Sequence, residues 1–219
     1  ISRDPQPVNC LPMEDASVSV LVRQTFMDLK SETPAKLAIE RIGAQDKPGP
    51  LDPLAFAQSL QRVSSFVENT SRHFADWAQS YLPHSNKLPP ADQAYCQSVG
   101  GDPNIFYYHS HWKLDEDQAL VIHVDKVPKC SFWNLQINNY WLESLDYRHH
   151  QICINKHQAQ YDDKGGVTLV LSERSPGLAN WLQTAGIREG TMCLRWVGAK
   201  EQCHPTTQVV SMDQLEQTA

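Results

Sequence analysis

Apolar residues along this chain follow a helical period in its first part and a period of two in its second. Between Asp15 and Ser31 they recur at Val18, Leu21, Val22, Phe26 and Leu29, with Asp15 or Ser17 placed to cap the first turn of a helix. Thr33-Pro34 then offers an N-cap and a first helical residue for a shorter helix ending at Gly43. A long helix is expected from about Pro53 to Tyr81, because Leu60, Val63, Val67, Thr70, Phe74, Trp77 and Tyr81 form one stripe opposite Gln, Arg and Glu. Such a stripe is expected to cover a sheet, and Pro83, Pro89 and Pro90 end the helix. Residues 1–13, with three prolines, read as an extended arm, and 45–53 as a proline-punctuated loop.

After Gly100-Gly101 the pattern alternates. Strands are expected at 105–113, 118–125, 131–139, 151–155, 166–172, 191–198 and 206–211, with turns at Asp115-Glu116-Asp117, Asp162 to Gly165, and Ala199-Lys200-Glu201. A short helical turn is expected over Leu178–Thr184, before Gly186. These elements imply an α+β fold: an N-terminal arm and helical layer over 1–99, packed on an antiparallel, jelly-roll-like β-sandwich over 100–219.

Composition narrows the function classes. The formal net charge of −6, without any Lys/Arg-rich stretch, argues against a nucleic-acid surface, which needs concentrated positive charge. No run of about 18 apolar residues is present to span a bilayer. A soluble protein with a small-molecule ligand, able to form a homo-oligomer, is the expectation. The six cysteines contain no Cys-x-x-Cys pair and read as reduced, mostly buried thiols. The chain begins with Ile1, so a removed leader and a fragment both stay open, as do cytoplasmic and exported locations.

Three constellations could carry chemistry. On a strand, His109 and His111 share a face with Tyr107, and a hairpin turning at Asp115-Glu116 would set His109 nearly opposite His123. Three imidazoles on one wall could hold a mononuclear transition metal, or one of them a haem. The opposite face, Ser110, Trp112, Leu120, Ile122 and Val124, would be apolar. A second group is Glu143, Asp146, Tyr147, Arg148, His149 and His150, where a carboxylate beside a His has the makings of a general base, or else Asp146 and Arg148 pair across a turn. A third joins Asn180-Trp181-Leu182 to Arg195-Trp196. There Asn180 would satisfy backbone groups and Trp181 fill core, while Arg195 either pairs with Asp146 or Glu143 or receives a substrate carboxylate. Nucleophile elbow, phosphate loop and dinucleotide fingerprint are all missing.

Over roughly residues 100 to 215 several short motifs occur in order: Trp112-Lys113-Leu114; Gln118-Ala119-Leu120; Phe132-Trp133; Trp141-Leu142-Glu143-Ser144-Leu145-Asp146-Tyr147; Pro176-Gly177 with Asn180-Trp181-Leu182 and Gly186; and Arg195-Trp196. In this the chain resembles the family called Domain of Unknown Function 1214, departing from it at Gln118, where the family has Glu. The resemblance implies a jelly-roll protein, often joined to a partner called Domain of Unknown Function 1254. Haem oxygenases acting on phenylpropanoid alkenes look similar. The expected function is an oxygenase-like oxidoreductase using His109, His111 or His123 as cofactor ligands, with Tyr107, Trp112, Trp133 and Trp141 walling a pocket for a small apolar or aromatic substrate. A non-catalytic binding or assembly module is the alternative. A cofactor-free hydrolase or lyase built on Glu143, Asp146 and His150 is a third.

Overall fold

A computed structural model of the protein describes residues 1–4, 10–28, 30–40 and 49–216. The chain forms two units, Ile1–Ala44 and Gln45–Ala219, so the long helix belongs to the same unit as the strands.

In the first unit Ser2 bridges Pro12, its amide donating to Leu11 O and its carbonyl accepting from Met13. No helix forms among the described residues of 10–40, contrary to both expected N-terminal helices; Leu29 and Gly43 lie outside the described residues. Val18, Leu21 and Ile39 are 92%, 81% and 98% exposed, and a short helix that buries no face is marginal in water. Local polar groups also capture the backbone: the Glu32 carboxylate accepts from the amides of Met27 and Asp28, and Asp28 accepts from Lys30 N and Ser31 Oγ.

The second unit opens with α1, Pro53–Ser80, capped by Asp52, whose carboxylate accepts from Leu54 N and Ala55 N, with Pro53 at the first turn. Only Ala78 is fully buried. Leu60, Val63, Phe66 and Val67 are all more than half exposed, so the front of the stripe covers no sheet, and only the last turns near Trp77 and Tyr81 pack on one. A 3-10 turn at Leu82–His84 follows, then α2, Gln93–Ser98, capped by Asp92.

Eight strands follow: β1 Ile105–Lys113, β2 Gln118–Val124, β3 Phe132–Asn138, β4 Cys153–Asn155, β5 Val167–Ser172, β6 Trp181–Gln183, β7 Glu189–Val197 and β8 Thr206–Ser211, with α3, Met212–Glu216, after them. They form two four-stranded sheets, ordered β1-β7-β3-β4 and β6-β5-β2-β8, antiparallel throughout except for β5 with β6. The stretch expected as a helical turn at Leu178–Thr184 instead contains β6, parallel to β5, with Trp181 Nε1 donating to Ser172 O. Two-residue alternation sends Tyr108, Trp112, Trp133, Leu135, Leu194 and Trp196 from the first sheet, and Leu120, Ile122, Leu169 and Leu171 from the second, into one shared core. Trp133 and Trp196 meet edge to face there at 5.7 Å. On its outer side the second sheet packs Ala119 and Val170 against Met212 and Leu215 of α3.

The free edge of β1 is closed by the chain running back from α1. Asn86 N donates to His111 O, Asn86 and Lys113 exchange side-chain and backbone bonds, and Ala91 N donates to Tyr107 O. At the other end of the pairing, Gly190 of β7 lies opposite Trp112. A Cβ there would collide with the Asn138 carbonyl and lie 2.9 Å from Trp112 Nε1. Gly190→Ala is therefore expected to lower the unfolding free energy by about 2–4 kcal/mol in urea titrations, while Gly49→Ala, whose Cβ meets nothing, changes it by less than ~0.5 kcal/mol.

Candidate functional site

The outer face of the first sheet is polar, row upon row. Across β1, β7, β3 and β4 one row reads Tyr107, Arg195, Asn134, Asn155, and the next His109, Cys193, Gln136, Cys153. Asn155 and Cys193 are buried, and the other members of these two rows are half-buried. The last turns of α1 lean over the β1 end of this face. His109 stacks with two phenol rings, Tyr81 at the C-cap of α1 at 5.7 Å and 5°, and Tyr107 from its own strand at 5.6 Å and 11°. The Trp77 ring lies 6.2 Å away. Trp77, Tyr81 and His109 border a cleft of about 650 Å³, lined also by Tyr95, Pro89, Pro90, Asp76 and Asp92.

Burial first, and the Arg195 charge second, push the His109 imidazole down to about 4, so it is neutral near neutral pH. Its Nε2 lies 3.9 Å from Cys193 Sγ, against the floor of the site. Burial lifts the Cys193 thiol to about 11 and also raises Cys96 and Cys153, which keeps all three protonated and poorly nucleophilic. The Tyr81 hydroxyl is buried without a hydrogen-bond partner, and burial pushes its phenol up as well. The cleft thus carries aromatic walls and one unsatisfied hydroxyl, with the Asp76 and Asp92 side chains also lining it.

His111 is on the same face but apart from the cleft. It is 2% exposed, with Nδ1 2.8 Å from Ser85 Oγ and Nε2 3.6 Å from Glu189, and burial lowers its pKa. His123 is in the other sheet altogether. There β2 pairs with β5 and β8 rather than with β1, and His123 meets Thr168 Oγ1 at 2.8 Å and Asp125 at 3.0 Å. The expected hairpin is thus a crossover between sheets, and the three imidazoles do not share a wall. The alternation of both strands was correct, since Trp112, Leu120, Ile122 and Val124 all face the core; alternation assigns faces and leaves the partner strand undetermined. Among the described residues no three His, Cys, Asp or Glu side chains are grouped to hold a metal ion. The candidate haem ligand His109 has its Nε2 3.9 Å from Cys193 Sγ and is stacked with Tyr81 and Tyr107.

The expected pocket wall also separates. Tyr107 stacks on His109 without lining the cleft, its hydroxyl accepting from Asp102 N, and Trp112 and Trp133 are wholly buried core residues. Their indole N–H groups donate to Thr191 O and Tyr161 Oη. Trp141 is 54% exposed on a loop, against Tyr140. Glu143 ties that loop by accepting from Asn139 Nδ2 at 2.7 Å. Asp146 accepts both guanidinium bonds of Arg148, which hold its carboxyl at about 2, and His150 lies 3.2 Å from Gln183 Oε1. Glu143, Asp146 and His150 are thus spent on loop structure, and the expected pairing of Arg195 with Asp146 or Glu143 does not occur. Asn180 does satisfy backbone, donating to Gln160 O and Thr168 O and accepting from Gln160 N. The residues missed from the sequence are Trp77, Tyr81 and Tyr95; the concentration of aromatics at the end of the helical stripe, Phe74, Trp77 and Tyr81, was the available signal.

Residues 109–201 match the family described as Protein of unknown function (DUF1214). The C-terminal half resembles DUF1214. An uncharacterised protein from Burkholderia cenocepacia, known from a crystal structure, is 63% identical with a TM-score of 0.80, over 87% of this chain and 53% of that one. The chain therefore spans about half the length of that relative and shares its fold. A crystal structure of a Vibrio parahaemolyticus protein is 21% identical with a TM-score of 0.43, over 54% of this chain and 34% of that one, a likeness too loose to bear on the fold. Comparison with curated proteins gives no match. Arg195, Trp196, Trp133 and His109 all lie within the DUF1214 match, whereas Trp77, Tyr81 and Tyr95 precede it, so the cleft joins the domain to the helix before it.

The neutral His109 has a pH signature. Its folded pKa, about 4, is below the ordinary 6.5, so the folded state binds fewer protons and stability falls with pH. The contribution is fully present above about pH 6.5 and is lost progressively towards pH 4, by roughly 3 kcal/mol at most. In urea titrations across this range, His109→Phe, which keeps a stacked ring but cannot titrate, is expected to lose less stability than the wild type; equal losses would show that His109 is not held neutral.

Proposed function

We propose that the DUF1214 domain and the end of α1 form a non-catalytic binding site for a small, planar, largely apolar molecule. The carrying observation is the stack of Tyr81 on His109 at the wall of the roughly 650 Å³ cleft. A cleft of this size, walled in part by rings and also lined by Asp76 and Asp92, suits a ligand of one or two fused rings. Trp77 and Tyr95 supply further ring faces, and the unsatisfied Tyr81 hydroxyl offers one directional hydrogen bond. The oxidoreductase reading draws less support, because its ligands His109 and His111 are turned into packing and hydrogen bonds and His123 is in the other sheet. Calorimetric titration with 2-naphthalenemethanol tests the binding reading. Tyr81→Ala is expected to weaken binding about tenfold or more, and Trp141→Ala to leave it unchanged. Equal affinity in the wild type and Tyr81→Ala would overturn the site.

Assembly, the second reading, draws on a separate observation. Leu60, Val63, Val67, Thr70 and Phe74 follow the alternating three- and four-residue spacing of a coiled-coil seam, yet Leu60, Val63 and Val67 are more than half exposed. A second copy of α1, presenting the same seam, is the occupant that this spacing suits. Light scattering of the eluting protein is expected to give twice the chain mass, reduced to a single mass by Val63→Glu; a wild-type monomer at every concentration would exclude this reading.

A further inference from the structure

Two carboxylates line the cleft from two of its walls, Asp76 from α1 and Asp92 at the N-cap of α2. Each keeps company with a ring of its own wall: Asp76 precedes Trp77, and Asp92 Oδ1 accepts from the Tyr95 amide at 3.1 Å. Asp92 Oδ2 has no hydrogen bond, the Asp76 carboxylate has none at either oxygen, and neither acid has an ion pair among the described residues. The lining includes the imidazoles of His73 and His84, but no Lys or Arg, and the third imidazole, His109, is neutral near neutral pH.

This lining decides the sign of a charged ligand. An anion in the cleft would meet two carboxylates and no lysine or arginine, whereas a cation would meet acids that nothing in the protein neutralises. A volume of about 650 Å³ corresponds to a space about 11 Å across, so a charge near its middle is within the Debye length, about 10 Å, of every wall. The ring faces act in the same direction, because the electron-rich faces of Trp77 and Tyr95 attract a cation and repel an anion. The formal net charge of −6 adds a weaker, long-range attraction.

The kind of cation follows from how the acids are spread. A divalent metal ion needs several ligands drawn close together, and no three His, Cys, Asp or Glu side chains among the described residues are so grouped. An ammonium group carried on a ring needs no such cage. Its ring takes the apolar and aromatic wall, and its N–H groups take carboxylate oxygens that have no other donor. Both acids are exposed, so water and salt screen them and the preference they confer is modest, on the order of tenfold together with the rings.

We infer that the ligand of the cleft is an aromatic amine bound as its ammonium ion, with its ring beside Tyr81 and His109 and its charge received by Asp76 and Asp92. This assignment rests on the cleft being the binding site and adds the chemical class of what it binds.

Calorimetric titration at neutral pH with 2-naphthylmethylammonium, 2-naphthalenemethanol and 2-naphthoate varies the charge carried on one ring. The proteins compared are the wild type, the double variant Asp76→Asn with Asp92→Asn, and Tyr81→Ala. Asn is as good an N-cap as Asp, so the double variant removes both charges and keeps the start of α2. The wild type is expected to bind the ammonium about tenfold or more tighter than the alcohol, and the naphthoate most weakly. In the double variant the preference for the ammonium is expected to fall to about threefold or less, the part owed to the rings, with alcohol affinity unchanged. Equal wild-type affinity for ammonium and alcohol, or naphthoate binding as tight as that of the ammonium, overturns the ligand class while the cleft stands, as weaker alcohol binding in Tyr81→Ala would show. A preference that survives undiminished in the double variant overturns the role of the two acids, and so does loss of alcohol binding there, which would assign them to the shape of the cleft. Binding of none of the three ligands to the wild type overturns both the cleft and its ligand class.

Discussion

The structure turns on β7 being hydrogen-bonded along both flanks. With β1 on one side and β3 on the other, its alternation cannot slip by a residue without sending Leu194 and Trp196 outward and Cys193 and Arg195 into the core. The inward set meets Trp112 and Trp133 and makes the hydrophobic core. The outward set, with its neighbours on β1, β3 and β4, makes the polar face from which His109 borders the cleft. Core and site are therefore two faces of one register, and the absence of a side chain at Gly190 lets Trp112 close against that strand.

The outward face of the first sheet is polar although most of its residues are buried or half-buried. The second sheet spends its outward Ala119 and Val170 against α3, an ordinary apolar contact. The first sheet carries amides, thiols, imidazoles and a guanidinium outward, partly shielded by each other and by the last turns of α1. Shielding without full pairing changes the chemistry of these groups: it holds His109 neutral and the Cys193 thiol protonated, and it leaves Arg195 as a cation with no anion. Such a surface is poor in reactive thiolates, an observation that supports the proposed binding reading.

One helix serves two settings. At its end, Trp77 and Tyr81 are fixed by rings on the sheet and by the chain that closes the β1 edge. Towards its start the same stripe stands exposed. Periodicity treats these as one continuous face, because it records which residues point the same way along a helix and not where the supporting surface stops.

Much of the fold was legible in the sequence. All seven expected strands are present, α1 begins and ends where Pro53 and Tyr81 place it, and the core residues of β1 and β2 were assigned to the correct face, because side-chain alternation and capping are local properties of the chain. Asn180 was likewise legible as a satisfier of backbone, and Arg195 as facing away from Leu194 and Trp196. What local pattern could not supply was partnership. Whether β1 pairs with β2 or with β7 depends on where the Leu114 to Asp117 connection leads, and that choice parted His123 from His109, buried Trp112 and Trp133, and left Arg195 unpaired. The motifs of the DUF1214 block were visible as residues, but their division into core, loop and site required the tertiary structure. Pairing between distant strands is decided by the joint burial of both sheets' apolar faces, a free energy that belongs to no single segment of the sequence.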